Sequence, residues 1–182
     1  MILGLTGKFA AGKGTVADFL LTKGFEYHSL SDVIREEIAA RGIAESRENL
    51  LEMGNSLRAA DGPAALAIRI KDRLVDGGDH IVDSIRNPAE VLVLKELPGF
   101  ILVGVDADPA IRFERLRKRD RIGDPETFEH FVALEAREAS SDNPSAQQLH
   151  ATWDLVDETL DNGGSIADLE AGVASLLARL PA

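Results

Sequence analysis

The chain has 182 residues, enough for one domain that folds around its own core without staples. It is 45% hydrophobic and 28% charged, a globular balance that excludes a disordered chain, and its lack of cysteine excludes a disulfide framework, thiolate metal sites and a cysteine nucleophile. Acidic residues outnumber basic ones by 31 to 20, for a formal charge of −11; this argues against a nonspecific nucleic-acid binder but leaves an anionic small substrate open, because a few converging arginines can hold phosphate inside a negative protein.

No stretch approaches the roughly 18 apolar residues of a membrane span. Met1 to Thr6 lacks a basic leader and runs directly into a glycine-rich motif, so a cytoplasmic protein is expected. Ile2 to Thr6 reads as a buried strand, and Thr15 to Leu21 as a helix with Val16, Phe19 and Leu20 on one face. Phe25 to Leu30 is a second short strand, after which Ser31 or Asp32 caps a helix through Ile38. Arg47 to Leu57 and Ala64 to Leu74 are two further helices. Ile81 to Asp83 is a third strand, and Asn87-Pro88-Ala89-Glu90 has the cap, proline and glutamate of a helix start. Phe100 to Val105 is almost wholly apolar, as a parallel strand covered on both faces should be. Helices follow from Asp108-Pro109 and from Asp124-Pro125, with a polar break over 140–145. Leu155-Val156 anchors a last short strand, and Ser165 with Asp168 forms a capping box on a final helix, Ile166 to Leu180. The alternation specifies an α/β fold with a parallel sheet covered by helices in a single domain spanning 1–182. Segments 40–76 and 118–148 fit it least well and read as inserted helical material able to move.

Gly7-Lys8-Phe9-Ala10-Ala11-Gly12-Lys13-Gly14-Thr15 lies between a strand and a helix. Its glycines let backbone N–H groups turn inward around a phosphate, and the helix N-terminus adds partial positive charge. Lys13 can reach the β and γ phosphates of a nucleotide, while Gly14 stands where a hydroxyl would help hold Mg²⁺, and Thr15 follows it.

Asp83 ends the third strand, at the sheet edge where parallel folds bind ligands, and suits Mg²⁺ through water. Arg86 is placed to grip an anionic substrate, and Arg35 and Arg58 are further acceptor-side candidates. Asp32 either caps its helix or orients an acceptor group, acting as base where that group is a hydroxyl. Arg112, Arg115, Arg117, Arg119 and Arg121 form a basic run in which Arg115 and Arg119 share a helix face. Those two suit a transferring phosphoryl group, with Arg115 also able to stack on a base, and Arg137 can close over the phosphates; Arg112, Arg117 and Arg121 read as a solvated face. The four histidines share no metal-ligand spacing, and Trp153 reads as a packing residue.

With its segments GKFAAGKGT (7–15), SDVIR (31–35), DSIRNPAEV (83–91), RFERLRKR (112–119) and DNGGSIADL (161–169) in family order, the chain resembles the P-loop nucleoside monophosphate kinases and their relatives, dephospho-CoA kinase included. The resemblance implies a three-layer P-loop NTPase fold with a five-stranded parallel sheet in order 2-3-1-4-5, an acceptor-binding insertion at about 31–76 and a lid at about 118–148. It implies that Gly7, Gly12, Lys13, Gly14 and Thr15, with Lys8, Ala10 and Ala11 of the same loop, hold the phosphates of ATP. It implies that Thr15 and Asp83 serve Mg²⁺, that Asp32, Arg35 and Arg86 hold the acceptor, and that Arg115 and Arg119 lie near the adenine and the phosphates. The sequence departs from the best-known members at Lys8, which replaces a small residue, and at Ser84-Ile85, which replaces a glycine and a proline. Where dephospho-CoA kinases carry two aspartates, it has Asp32 and Ser29.

The leading expectation is an ATP-dependent kinase of nucleoside or deoxynucleoside monophosphates, with Lys13, Asp83, Arg86 and Arg119 at the chemistry. A kinase of dephospho-CoA or another small molecule, and an ATP-binding regulator or slow ATPase, are the alternatives. A phosphate-bearing small acceptor is the expected partner, without nucleic acid or membrane, for a monomer or homodimer.

Overall fold

The computed structural model describes residues 1–74, 77–119, 124–139, 143 and 145–180, with the side chains of 47 and 137–139 outside that description. Five strands, β1 (Ile2–Thr6), β2 (Glu26–Ser29), β3 (His80–Asp83), β4 (Phe100–Asp106) and β5 (Glu158–Asp161), form a wholly parallel sheet in the order β2-β3-β1-β4-β5. Leu3 of β1 aligns with Ile81 on one side and Ile101 on the other, so the central strand has apolar neighbours at its middle. The helices among the described residues are α1 (Lys13–Leu21), α2 (Leu30–Ala40), α3 (Arg47–Asp61), α4 (Ala65–Lys71), α5 (Pro88–Leu94), α6 (Pro109–Arg119), α7 (Phe128–Ala139), α8 (Leu149–Trp153) and α9 (Ile166–Arg179).

The two-residue period of the strands divides the apolar side chains between two cores. Leu3, Leu5, Ile81, Val103 and Val105 meet Val16 and Leu20 of α1 and Leu169, Val173 and Leu176 of α9. Ile2, Val82 and Leu102 face the other way, toward Leu30, Val33 and Ile34 of α2, Met53 of α3, Leu66 and Ile70 of α4 and Val91 of α5. The result is the three-layer α/β P-loop NTPase fold, with the expected strand order. A third cluster sets Phe113 and Leu116 of α6 against Phe131 of α7, with Phe9 and Ala10 of the glycine-rich loop beside it.

Several local expectations are corrected. The cap of α2 is Ser29, whose Oγ accepts from the Ser31 N–H at 3.2 Å, because β2 passes directly into the helix; Ser31 and Asp32 lie in its first turn. The last strand is Glu158–Asp161, after Leu155-Val156: that apolar pair packs against the α2–α5 core, and the edge strand itself buries only Leu160. Between Leu155-Val156 and the strand, Asp157 bonds the Leu102 backbone in both directions, at 2.9 Å each. The helix expected from Asp124-Pro125 starts at Phe128, where Thr127 accepts from the His130 N–H. Both capping boxes, Asn87 with Glu90 and Ser165 with Asp168, are present.

Candidate functional site

The loop from Gly7 to Gly12 joins the carboxyl end of β1 to the start of α1. Its glycines are sterically required. Gly7 has φ 150°, and a Cβ there would lie 2.2 Å from the Val105 carbonyl oxygen of β4. Gly12 has φ 103°, and a Cβ there would lie 2.0 Å from Nδ2 of Asn162. Lys13 Nζ donates to the Gly7 carbonyl at 2.9 Å, so the lysine is drawn over the loop it follows. Gly14 is exposed with open space above it, and Thr15 is half-buried one residue further along α1. This is a backbone cradle at a helix N-terminus, and its residues fit a nucleotide's phosphate chain. Lys8, placed with the phosphate contacts from sequence, forms an ion pair with Asp106 at the end of β4, at 3.3 Å.

The segment after β3 is tied to the same edge. The Thr6 hydroxyl donates to the Ile85 carbonyl at 2.9 Å, which sets Asp83–Arg86 alongside the loop. Asp83 accepts from the Tyr27 hydroxyl at 3.0 Å and from the Ser84 N–H. Burial, then the Asp83 carboxylate, push the Tyr27 phenol well above its ordinary pKa. Ser84 holds φ 66°, a left-handed conformation uncommon outside glycine, and its hydroxyl meets Ser29 at 3.2 Å. Oxygen donors at Thr15 and Asp83 suit a hard divalent cation such as Mg²⁺.

Next to the loop lies a cavity of about 560 Å³. Phe9, Leu30, Ile34, Leu50, Leu51 and Leu66 supply its apolar wall, and Arg35, Arg58, Arg86 and Arg119 its guanidinium groups. Arg35 on α2 bonds Asp32 at 2.8 Å and Glu45 at 3.1 Å; burial pulls its pKa down, and these two carboxylates outweigh that and raise it. Arg58 on α3 is 3% exposed and paired with Glu90 at 2.8 Å. Burial pushes the Glu90 carboxyl above its ordinary pKa, against the pull of Arg58 and the N–H groups of Arg86 and Asn87. Arg86 donates to Gln147 at 3.0 Å. Arg119 forks onto Asp124, at 2.8 and 3.0 Å, and lies over the Phe9 ring at 4.7 Å.

The remaining arginines divide differently from the sequence expectation. Arg112, read as a solvated residue, is fully buried: it forks onto Glu135 of α7 and donates to the carbonyls of Ala107 and Phe9. Arg115 donates to the Asn162 carbonyl at 2.8 Å, and its Nη1 is buried without a hydrogen-bond partner among the described residues. Arg117 is exposed, as expected. The Arg137 side chain and Arg121 lie outside the described residues.

Sequence reasoning missed Asn162, the polar hub of the site. Its Nδ2 donates to Ala11 of the loop at 2.8 Å, its N–H to Asp106 at 2.7 Å, and its carbonyl holds Arg115. In sequence it reads only as part of an Asn-Gly-Gly turn. Glu45, Phe9 and Gln147 are further missed members of the cavity wall.

The model of the AAA domain family matches residues 3–138. A UPF0200 protein of Hyperthermus butylicus is 32% identical over 183 residues, covering 99% of this chain and 95% of that one. The chain belongs to the UPF0200 family. Among solved structures, TT1252 from Thermus thermophilus has a TM-score of 0.63 at 22% identity and covers 100% of this UPF0200 chain and 98% of its own. A shikimate kinase from Bacteroides thetaiotaomicron has a TM-score of 0.60 at 13% identity, with 98% and 97% covered. At such identities the likeness establishes the fold alone: this UPF0200 protein has a P-loop NTPase fold similar in shape to that of the shikimate kinase. No helix among the described residues is long and apolar enough to cross a membrane.

Proposed function

We propose that the protein transfers the γ-phosphoryl group of ATP to a hydroxyl group of a small anionic acceptor. The observation that carries this reading is the phosphate cradle opening beside a cavity whose wall combines guanidinium groups, carboxylates and an apolar face. Three of its four arginines, Arg35, Arg58 and Arg119, already face carboxylates, which moderates the attraction for a dianionic phosphate. Asp32, in the first turn of α2 beside Ser31 of the wall, supplies a carboxylate that a hydroxyl acceptor needs and an ionised phosphate does not.

In this reading Gly7, Lys8, Ala10, Ala11, Gly12, Gly14 and Thr15 belong to the donor side, with Lys13 neutralising charge on the transferring phosphoryl. Arg115 belongs to the nucleotide side, held by the Asn162 carbonyl beside the loop. Thr15 and Asp83 hold Mg²⁺, which supplies charge neutralisation on the donor phosphates. Arg35 and Arg86 hold the acceptor's anionic group, and Arg58, locked by Glu90, shapes the wall. The acceptor oxygen bonds to the γ phosphorus, the bond from that phosphorus to the bridging oxygen breaks, ADP leaves, and Asp32 takes the hydroxyl proton. The whole of 1–182 works as one domain, with 31–76 as acceptor side. Segment 118–148 acts as a lid that brings Arg119, and Arg137, toward the phosphates and excludes water.

A monophosphate acceptor is the second reading, favoured by Arg35, Arg86 and Arg119 lining one cavity. Asp32→Asn separates the two. With a hydroxyl acceptor, kcat falls about 100-fold or more. Unchanged kcat with a monophosphate acceptor would overturn the hydroxyl reading.

A further inference from the structure

The opposite end of the sheet carries a second constellation. Glu26 of β2 aligns with His80 of β3, and His28 follows two residues after Glu26, so all three side chains share one face of these neighbouring strands. His80 also aligns with Ile2, at the amino end of β1, while the phosphate loop leaves that strand's carboxyl end. His28 Nε2 lies 3.2 Å from His80 Nδ1, and Glu26 Oε2 lies 4.0 Å from the same Nδ1. One ligand atom from each residue falls within 4.8 Å of the other two. His80 is 1% exposed, His28 is half-buried, and the Glu26 side chain is 66% exposed and so free to swing.

We propose that Glu26, His28 and His80 form a binding site for one divalent transition-metal ion of the Zn²⁺ class, separate from the nucleotide site. Metal–nitrogen bonds of about 2.0–2.1 Å at a tetrahedral centre set two nitrogens about 3.3 Å apart, close to the observed separation. Two imidazoles and one carboxylate select Zn²⁺, Co²⁺ or Ni²⁺ over Mg²⁺, which prefers an all-oxygen shell. Three protein ligands among the described residues leave a fourth position for water or a further ligand. The ion staples β2, the edge strand among the described residues, to β3. A single N–H shared between the two rings has the same spacing, so stoichiometric metal uptake is the deciding property.

The test uses the full chain, stripped with a chelator and free of nucleotide, titrated calorimetrically with Zn²⁺ and, in parallel, with Mg²⁺. The proposal expects one equivalent of Zn²⁺, not displaced by excess Mg²⁺. It expects a thermal midpoint about 5–10 °C higher at a hundredfold excess over Kd. Co²⁺ in place of Zn²⁺ should give the intense visible bands of a tetrahedral site. His80 is buried and its replacement risks the fold, so the decisive variant is His28→Gln, which should weaken Zn²⁺ at least about tenfold, with Glu26→Gln weakening it less. Lys13→Ala, altered only in the phosphate loop, should bind Zn²⁺ as the parent does. Absence of a one-equivalent Zn²⁺ site, or equal affinity in the parent and His28→Gln, overturns the proposal.

Discussion

Single atoms decide much of this site. Lys13 sits over its own loop, and Lys13→Ala is expected to lower phosphoryl transfer by about 100- to 1000-fold, measured as turnover with the fold checked by circular dichroism. Gly12→Ala puts a methyl against Asn162 and forces alanine to a φ of 103°, with an expected cost of about 1–3 kcal/mol in urea unfolding. These two positions were legible, because glycines and a lysine at that spacing between a strand and a helix leave few other readings. Asn162 was not, since its partner Ala11 is 151 residues away and an Asn-Gly-Gly run is explained locally as a turn. The Glu26, His28 and His80 cluster was hidden for the same reason: strand pairing, not spacing along the chain, brings the residues together.

Among the elements, α6 and α7 are joined by the Arg112–Glu135 fork as well as by their phenylalanines. Glu135→Gln removes one charge while Arg112 keeps Asp106 at 3.6 Å and the carbonyls of Ala107 and Phe9, with an expected loss of about 1–3 kcal/mol. The loss should appear first as faster amide exchange in α7, so exchange across 128–139 is the measurement. Helix periodicity located α6 but could not tell which arginine turns inward, because that depends on a partner 23 residues on. At the start of α9, the Ser165 hydroxyl and backbone N–H hold the Asp168 carboxyl below its ordinary value of 3.8. A carboxyl with a lowered folded pKa contributes stability above its unfolded pKa and loses it as pH falls through the folded one. An NMR titration should therefore place the Asp168 midpoint below 3.8, and Ser165→Ala should move it back up. This cap was readable in sequence because both members lie within one helical turn. The strand β5 was not, since its burial rests on Leu160 alone while the preceding Leu155-Val156 looked more strand-like.

At the level of the molecule, the strand order 2-3-1-4-5 sets the ends of β1 and β3 side by side, and this places the glycine loop next to Asp83 and Arg86. The order followed from resemblance; the parallel alternation followed from the apolar runs themselves. Helices α2 to α4 then build the cavity wall opposite the loop, with mixed charges that sequence alone could not pair. The central claim is that this cavity accepts the phosphoryl group that the loop presents. Its most direct test is to incubate the protein with Mg-ATP and a panel of hydroxyl acids, sugars, dephospho-CoA and nucleoside monophosphates, and to identify products by mass. The account predicts an acceptor whose mass rises by one phosphoryl group in step with ADP release, with the product lost in Lys13→Ala. ATP binding with no phosphorylated acceptor and no acceptor-dependent ADP release would contradict it.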